Sequence, residues 1–84
     1  MSVEADSVKQ VIEIVVVIDR LNRRELEFRT DRVTGGEIKL RAGVPPEDDL
    51  ALKRDGKLEL VTNGEPITIF NGEHFFVFPP GTIS

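Results

Sequence analysis

The chain has 84 residues, no cysteine and a net charge of -4, and 39% of its residues are hydrophobic. This length suits one small domain, the lack of cysteine excludes disulfides and thiolate metal sites, and the acidic balance argues against a nucleic-acid partner. No apolar run approaches the roughly 20 residues of a membrane span and the N-terminus lacks a basic signal-peptide region, so we expect a cytoplasmic protein with no membrane partner.

The N-terminal part of the chain predicts a leader and a β-hairpin. Residues 1–10 are polar and lack periodicity, which is typical of a flexible leader. Residues 11–18 are β-branched except at Glu13, which sets the phase of the strand. Residues 19–24 predict a solvated turn carrying three arginines, and residues 25–30 predict the returning strand. The core face of the first strand is expected to hold Ile12, Ile14, Val16 and Ile18, and the outer face Val15 and Val17.

A single helix is predicted next. Thr34 and Glu37 have the spacing of a capping box, in which each side chain bonds to the backbone N–H of the other residue. Glycines at 35 and 36 disfavour a helix, but in the first turn they cost less and allow another segment to approach closely. The helix is expected to end near Ala42, because Gly43 is a suitable C-terminal cap and two prolines follow.

The C-terminal half predicts further strands. Residues 50–54 and 57–60 alternate around the turn signal Asp55-Gly56. Pro66 makes residues 67–70 an edge or irregular segment, and residues 74–78 form the last strand. The predicted order is β-β-α-β-β-β, an α+β domain over residues 11–78 in which one helix packs on one face of a mixed sheet of four to five strands. Residues 79–84 are expected to form an extended tail.

This element order is that of the β-grasp fold of ubiquitin, and three segments sharpen the likeness. Residues 33–38 and 42–49 resemble the helix start and the Ala-Gly-hydrophobe-Pro exit of the bacterial multiubiquitin family. Residues 71–75 resemble the last turn and strand of the same family. The Phe-Pro-Pro at residues 78–80 is similar to the end of the molybdopterin and thiazole sulfur carriers. The resemblance covers about residues 11–81.

The resemblance implies a function for the tail. In such modifiers a C-terminal glycine enters the narrow site of an activating enzyme, and Gly81 is the matching residue. Pro79 and Pro80 would present the tail, since a polyproline segment is stiff. This chain has Pro80-Gly81 where the families have Gly-Gly, and a precursor shortened after Gly81 fits that pattern. The residues removed would be Thr82, Ile83 and Ser84.

The resemblance also implies partners. Bacterial operons that resemble ubiquitination systems supply an activating enzyme, a conjugating enzyme and a JAB-type zinc peptidase, which together attach the modifier to target proteins, and antiphage defence is the expected setting. In ubiquitin the sheet face away from the helix is the main recognition surface. Here that partner-docking face would hold Val15, Val17 and Phe76, joined by Leu50 or Leu52 according to the phase of their strand. Candidate acceptor lysines for chain formation are Lys9, Lys39, Lys53 and Lys57.

The chain offers little for catalysis. Its one histidine, His74, has only acidic neighbours in sequence as co-ligands, so a solvent-facing or rotamer-locked side chain is favoured over a metal ligand. The acidic pair Asp48-Asp49 favours a solvated loop. We therefore expect no enzyme activity, no cofactor and no metal. Two other interpretations of the function stay open: a sulfur carrier, and a noncovalent β-grasp interaction module with an inert tail. For the outer face, self-association is an alternative to partner binding.

Overall fold

The structure is a computed structural model and describes residues 11–82. Within these residues there are seven strands and one helix. The strands are β1 (Ile12–Val17), β2 (Arg23–Phe28), β3 (Arg32–Thr34), β4 (Asp49–Arg54), β5 (Lys57–Leu60), β6 (Pro66–Thr68) and β7 (Glu73–Phe78), and the helix α1 (Gly35–Ala42) lies between β3 and β4. The predicted leader over residues 1–10 lies outside the described residues.

The main sheet confirms the predicted fold class. Its five strands are ordered β2-β1-β7-β4-β5. β1 and β7 are parallel, whereas β1 with β2, β7 with β4, and β4 with β5 are antiparallel. The sheet is therefore mixed, and α1 packs on one of its faces through Ile38 and Ala42. This is an α+β domain with the β-grasp layout, in which the last strand lies between the first strand and the strand that follows the helix.

The core lies between the sheet and α1. Ile14 and Val16 of β1 are completely buried there, and Ile12 and Ile18 pack against them, so the predicted core face of the first strand is confirmed. β7 supplies Phe75 to the same layer, since Val16 and Phe75 are register partners. The buried hydrophobic cluster consists of Ile14, Val16, Phe28, Val33, Ile38, Ala42, Val44, Leu50, Leu52, Val61, Ile69 and Phe75.

The predicted caps define α1. The backbone N–H of Glu37 donates to Thr34 Oγ1 at 3.2 Å, and the N–H of Thr34 donates to Glu37 Oε1 at 2.8 Å, so both hydrogen bonds of the capping box are present. At the other end Gly43 has a φ of 76°, the left-handed conformation that a side chain disfavours. Leu40 is 80% exposed and takes no part in the core.

The glycines at the start of α1 allow a close approach by the loop that follows β5. The N–H of Gly35 donates to the carbonyl of Thr62 at 3.0 Å, and the N–H of Gly36 donates to the carbonyl of Asn63 at 3.1 Å. These bonds satisfy two of the N–H groups that a helix start leaves without a partner. A Cβ on Gly35 would lie 2.4 Å from the Thr62 oxygen, so the contact requires glycine.

The sequence-based element order omits a two-stranded sheet. β3 and β6 pair antiparallel, with Val33 opposite Ile67 and Thr34 opposite Pro66. Residues 67–70 were expected to be an edge or irregular segment, and their first two residues belong to β6. Pro66 is tolerated because it is the first residue of the strand, where a missing N–H does little harm. β3 comprises only three residues and leads directly into α1.

Candidate functional site

The candidate site is the end of β7 and the tail that follows it. β7 is held on both sides, with Val17 and Ala51 as the register partners of Phe76. Asp49 is opposite Phe78, the last residue of the strand. The tail therefore follows a central strand of the sheet. It starts at the end of the sheet where β1 ends and β4 begins.

Residues 79–82, the part of the tail that the structure describes, form a turn, whereas the prediction for residues 79–84 was an extended tail. The backbone N–H of Thr82 donates to the Pro79 carbonyl at 3.2 Å, and its hydroxyl donates to the same oxygen at 2.7 Å. Gly81 has a φ of 82°. A proline in the second position and a positive-φ glycine in the third are typical of a type II turn. The Pro-Pro pair therefore leads into a turn.

Gly81 is nonetheless open to solvent. Pro79, Pro80, Gly81 and Thr82 are all exposed, and a Cβ built on Gly81 would meet no atom within 4 Å. The hydrogen bonds of residues 79–82 found in the described structure join Thr82 to Pro79. An enzyme could reach the Gly81–Thr82 peptide bond without unfolding the domain. Ile83 and Ser84 lie outside the described residues.

The sheet face away from α1, called the open face below, carries an apolar row across four strands. Val17, Phe76, Ala51 and Leu60 are register neighbours on this face. Val17 and Phe76 are partly buried, as is Val15 in the next row, so the prediction places these three side chains on the correct face. Ala51 is fully buried beneath its larger neighbours.

The assignment of Leu50 and Leu52 to the docking face is wrong. Leu50 is the register partner of Val77, and Leu52 is the partner of Phe75, which faces the core. Their exposed fractions are 0% and 2%, and both belong to the buried cluster. The leucines at the end of the open face are instead Leu58, 50% exposed, and Leu60, 43% exposed. Alternation shows that the leucines of a strand share a face, but it does not show which face that is.

Lys39 is unsuited to be an acceptor lysine. It is 5% exposed, and its Nζ donates to the Pro46 carbonyl at 3.1 Å and to Asn63 Oδ1 at 2.8 Å. The ammonium group thus holds two loops against α1. Lys53 and Lys57 are exposed, so these two stay candidates, and Lys9 lies outside the described residues.

The turn between β1 and β2, residues 18–22, lies at the same end of the sheet as the tail, and Arg23 and Arg24 follow it as the first residues of β2. Asp19 accepts hydrogen bonds from the backbone N–H groups of Leu21 and Asn22 and from the Asn22 side chain. The Asn22 side chain makes the largest contribution to lowering the pKa of Asp19 below its usual 3.8, followed by the Leu21 N–H. Leu21 is 92% exposed, and the predicted exposure of Arg20, Arg23 and Arg24 is confirmed.

The remaining candidates for a chemical site are the acidic side chains and His74. Residues 11–82 contain no group of three His, Asp or Glu side chains arranged to hold a metal ion. His74 is exposed, and its Nδ1 lies 3.1 Å from the Gly72 carbonyl. In the same residues no helix has the length and apolarity needed to cross a membrane.

The chain was compared with known proteins in three ways. No protein-family model, no curated protein and no solved structure matches it.

Proposed function

We propose that this chain is a ubiquitin-like protein modifier that acts in a bacterial conjugation pathway. The observation that carries the proposal is the path of β7, which runs through the centre of a β-grasp sheet and ends three residues before the exposed Gly81. A tail whose described residues, 79–82, are exposed can be drawn into an enzyme without unfolding the domain. The α+β fold alone would not suffice, because one fold serves many functions.

The proposed chemistry takes place on the Gly81 carbonyl carbon. A JAB-type zinc peptidase hydrolyses the Gly81–Thr82 bond with one water molecule and leaves a carboxylate on Gly81. An activating enzyme then joins this carboxylate to AMP from ATP with release of pyrophosphate. A cysteine thiolate displaces AMP to form a thioester, the acyl group passes to a conjugating enzyme, and a target amine displaces the thiolate to form an amide.

The domain itself contributes recognition. The open face offers Val15, Val17 and Phe76, with Leu58 and Leu60 exposed at its far end. Clustered apolar side chains on a small soluble domain commonly mark a protein-binding surface. We expect Phe76→Asp to weaken binding of the partner enzymes while the domain stays folded. Lys53 lies on this face and Lys57 on the opposite one, and both are described candidates for chain formation.

The proposal is tested by intact-mass spectrometry of the chain expressed with a JAB-type zinc peptidase and an activating enzyme of a bacterial operon that resembles a ubiquitination system. The expected result is loss of the residues after Gly81, followed by a covalent adduct of the shortened chain. Gly81→Glu should abolish the adduct. Gly64→Glu is the matched control, because Gly64 also lies in open space but far from the tail in sequence. An unchanged mass in every combination would refute a processed modifier.

The turn at residues 79–82 favours a second candidate, a noncovalent β-grasp interaction module. In that case the positive φ of Gly81 explains the glycine by backbone geometry alone. Gly81→Asn separates the two functions, since asparagine tolerates the left-handed conformation but adds a side chain. With Gly81→Asn, an interaction module would still bind its partner, whereas a modifier would no longer form its covalent adduct.

A further inference from the structure

β5 forms an edge of the sheet with backbone groups that point outward. Within residues 11–82 its strand partner is β4 alone. The N–H of Val61 donates to the Leu50 carbonyl at 2.8 Å, and since alternate residues of an antiparallel strand bond to the same neighbour, residues 57 and 59 also bond toward β4. Leu58 and Leu60 therefore direct their N–H and carbonyl groups away from the sheet. Such an edge is a template for another strand.

The side chains of β5 alternate in a way that suits pairing with itself. All four are exposed. Leu58 and Leu60 lie on the open face, and Lys57 and Glu59 lie on the opposite face. The ion pair found in the described structure joins Arg54 to Glu73, so neither Lys57 nor Glu59 has a charged partner within residues 11–82.

Charge selects one register for two β5 strands. Two identical antiparallel strands in one sheet are related by a two-fold axis that passes between two copies of the same residue. An axis at Leu58 places each Lys57 opposite the Glu59 of the second copy, so that two oppositely charged pairs form. An axis at Glu59 places the two glutamates opposite each other. Cross-strand pairs of this kind have Cα atoms about 4.5 Å apart, and opposite charges favour pairing there whereas like charges oppose it.

The other edge of the sheet brings like charges together in its central registers, which β5 avoids when centred on Leu58. β2 carries Arg23, Arg24, Glu25 and Glu27. An axis at residue 24 pairs Arg23 with Glu25 of the second copy but brings two arginines together, and an axis at residue 25 pairs Arg23 with Glu27 but brings two glutamates together. An axis at residue 26 places Glu25 opposite Glu27 twice. Like charges thus face each other in all three central registers, which is a common means of preventing edge pairing.

We propose that two copies of this chain pair through β5, antiparallel and centred on Leu58, to form a ten-stranded sheet across a symmetric dimer. The two Leu58 residues exchange backbone hydrogen bonds, and Lys57 forms an ion pair with Glu59 of the other copy. The apolar rows of the two open faces become continuous through their leucines. The contact involves one four-residue strand from each copy, so the dimer is weak and transient.

Charge reversal tests the dimer. Analytical ultracentrifugation of the full chain should reveal the dimer at protein concentrations up to on the order of 1 mM. Such concentrations are suited to weak complexes. Lys57→Glu and Glu59→Lys each convert both ion pairs to repulsive pairs, and each should weaken dimerisation roughly tenfold or more. The double variant restores two oppositely charged pairs and should restore the dimer. Lys53→Glu is the control for Lys57→Glu, since it makes the same change in net charge from a residue of β4.

The outcomes are distinct. Loss of the dimer in both single variants and its recovery in the double variant would support the β5 interface, as would slowed amide exchange of Leu58 on dimerisation. A wild-type chain that is monomeric throughout the range would overturn the proposal. A dimer that ignores the charge reversals, or that Phe76→Asp abolishes while they do not, would place the interface elsewhere. Circular dichroism verifies that each variant is folded, and Glu59→Lys carries the test if Lys57→Glu unfolds.

Discussion

Gly35→Ala is expected to destabilise the fold, although alanine favours helices more than glycine does. The new Cβ would lie 2.4 Å from the Thr62 oxygen, 3.0 Å from the Thr62 carbonyl carbon and 3.0 Å from Val61 Cγ1. Two of these atoms belong to the backbone, so no side-chain rotation can relieve the overlap. The loop after β5 must move away from α1, and the bond from the Gly35 N–H to Thr62 weakens with it.

The expected change in the free energy of unfolding follows from opposing contributions. Alanine gains at most about 1 kcal/mol in helix propensity, and less in the first turn. Weakening the buried hydrogen bond costs about 1 kcal/mol, and steric overlap in a packed region costs roughly 1–3 kcal/mol. The net loss is about 2 kcal/mol. Since a domain of this size has a free energy of unfolding of roughly 4–12 kcal/mol, the melting temperature should fall by roughly 10 °C.

Urea denaturation followed by circular dichroism measures this loss. Two glycines nearby provide a graded control. A Cβ on Gly36 would lie 3.0 Å from the Asn63 oxygen, and one on Gly64 would meet no atom within 4 Å. The free energy of unfolding should therefore fall most for Gly35→Ala, less for Gly36→Ala, and by no more than about 0.5 kcal/mol for Gly64→Ala. A Gly35→Ala variant as stable as the wild type would refute the close approach.

Two other substitutions and one titration test the core, the buried Lys39 and the turn between β1 and β2. Phe75→Ala should lower the free energy of unfolding by about 3–5 kcal/mol, whereas Phe70→Ala should lower it by less than about 1.5 kcal/mol, because Phe75 is 0% exposed and Phe70 is 57% exposed; equal losses in urea denaturation would contradict the core assignment. Lys39→Met keeps the aliphatic stem but removes the donor to Asn63 Oδ1 and one of the two donors to the Pro46 carbonyl, which still accepts from the Asn63 side chain; it should cost about 1–3 kcal/mol in the same assay, and a gain in stability would show that the ammonium is not needed. The pKa of Asp19 is lowered in the folded state, so its stabilising hydrogen bonds persist above the unfolded value of 3.8 and are lost as the pH falls through the lower folded value. The amide shifts of Leu21 and Asn22 in NMR spectra should therefore stay constant from pH 7 to about 4 and change only below it, and a transition near pH 6 would contradict this.

Local patterns predicted the parts of this fold that local chemistry determines. Glu13 sets the phase of β1 because a lone charge in a β-branched run must face solvent. The capping box of α1 depends on two residues three positions apart, so its sequence signature nearly suffices to identify it. The turn at Asp55-Gly56 is likewise determined by neighbouring residues, and both of them adopt a positive φ in the structure.

Long-range contacts explain what the sequence could not predict. Leu50 and Leu52 face the core because β4 lies beside β7, whereas Leu58 and Leu60 have the same alternation on an edge strand and remain exposed. Lys39 is of a residue type that usually lies at the surface. It is buried because the Pro46 carbonyl and the side chain of Asn63, which is distant in sequence, supply acceptors for its ammonium group.

The turn at residues 79–82 is compatible with the proposed function of the tail on energetic grounds. Thr82 closes it with two exposed hydrogen bonds to Pro79, which contribute on the order of 1–2 kcal/mol in total. The extended tail would then make up roughly 3–15% of the molecules, a population from which an enzyme can select. Gly81 can leave its positive φ without strain, because glycine adopts both signs of φ about equally. The domain would keep its sheet and core throughout, since the described tail residues make their hydrogen bonds with one another. Under the proposed function, the turn would be the resting form of the tail and the activating enzyme would bind the extended form.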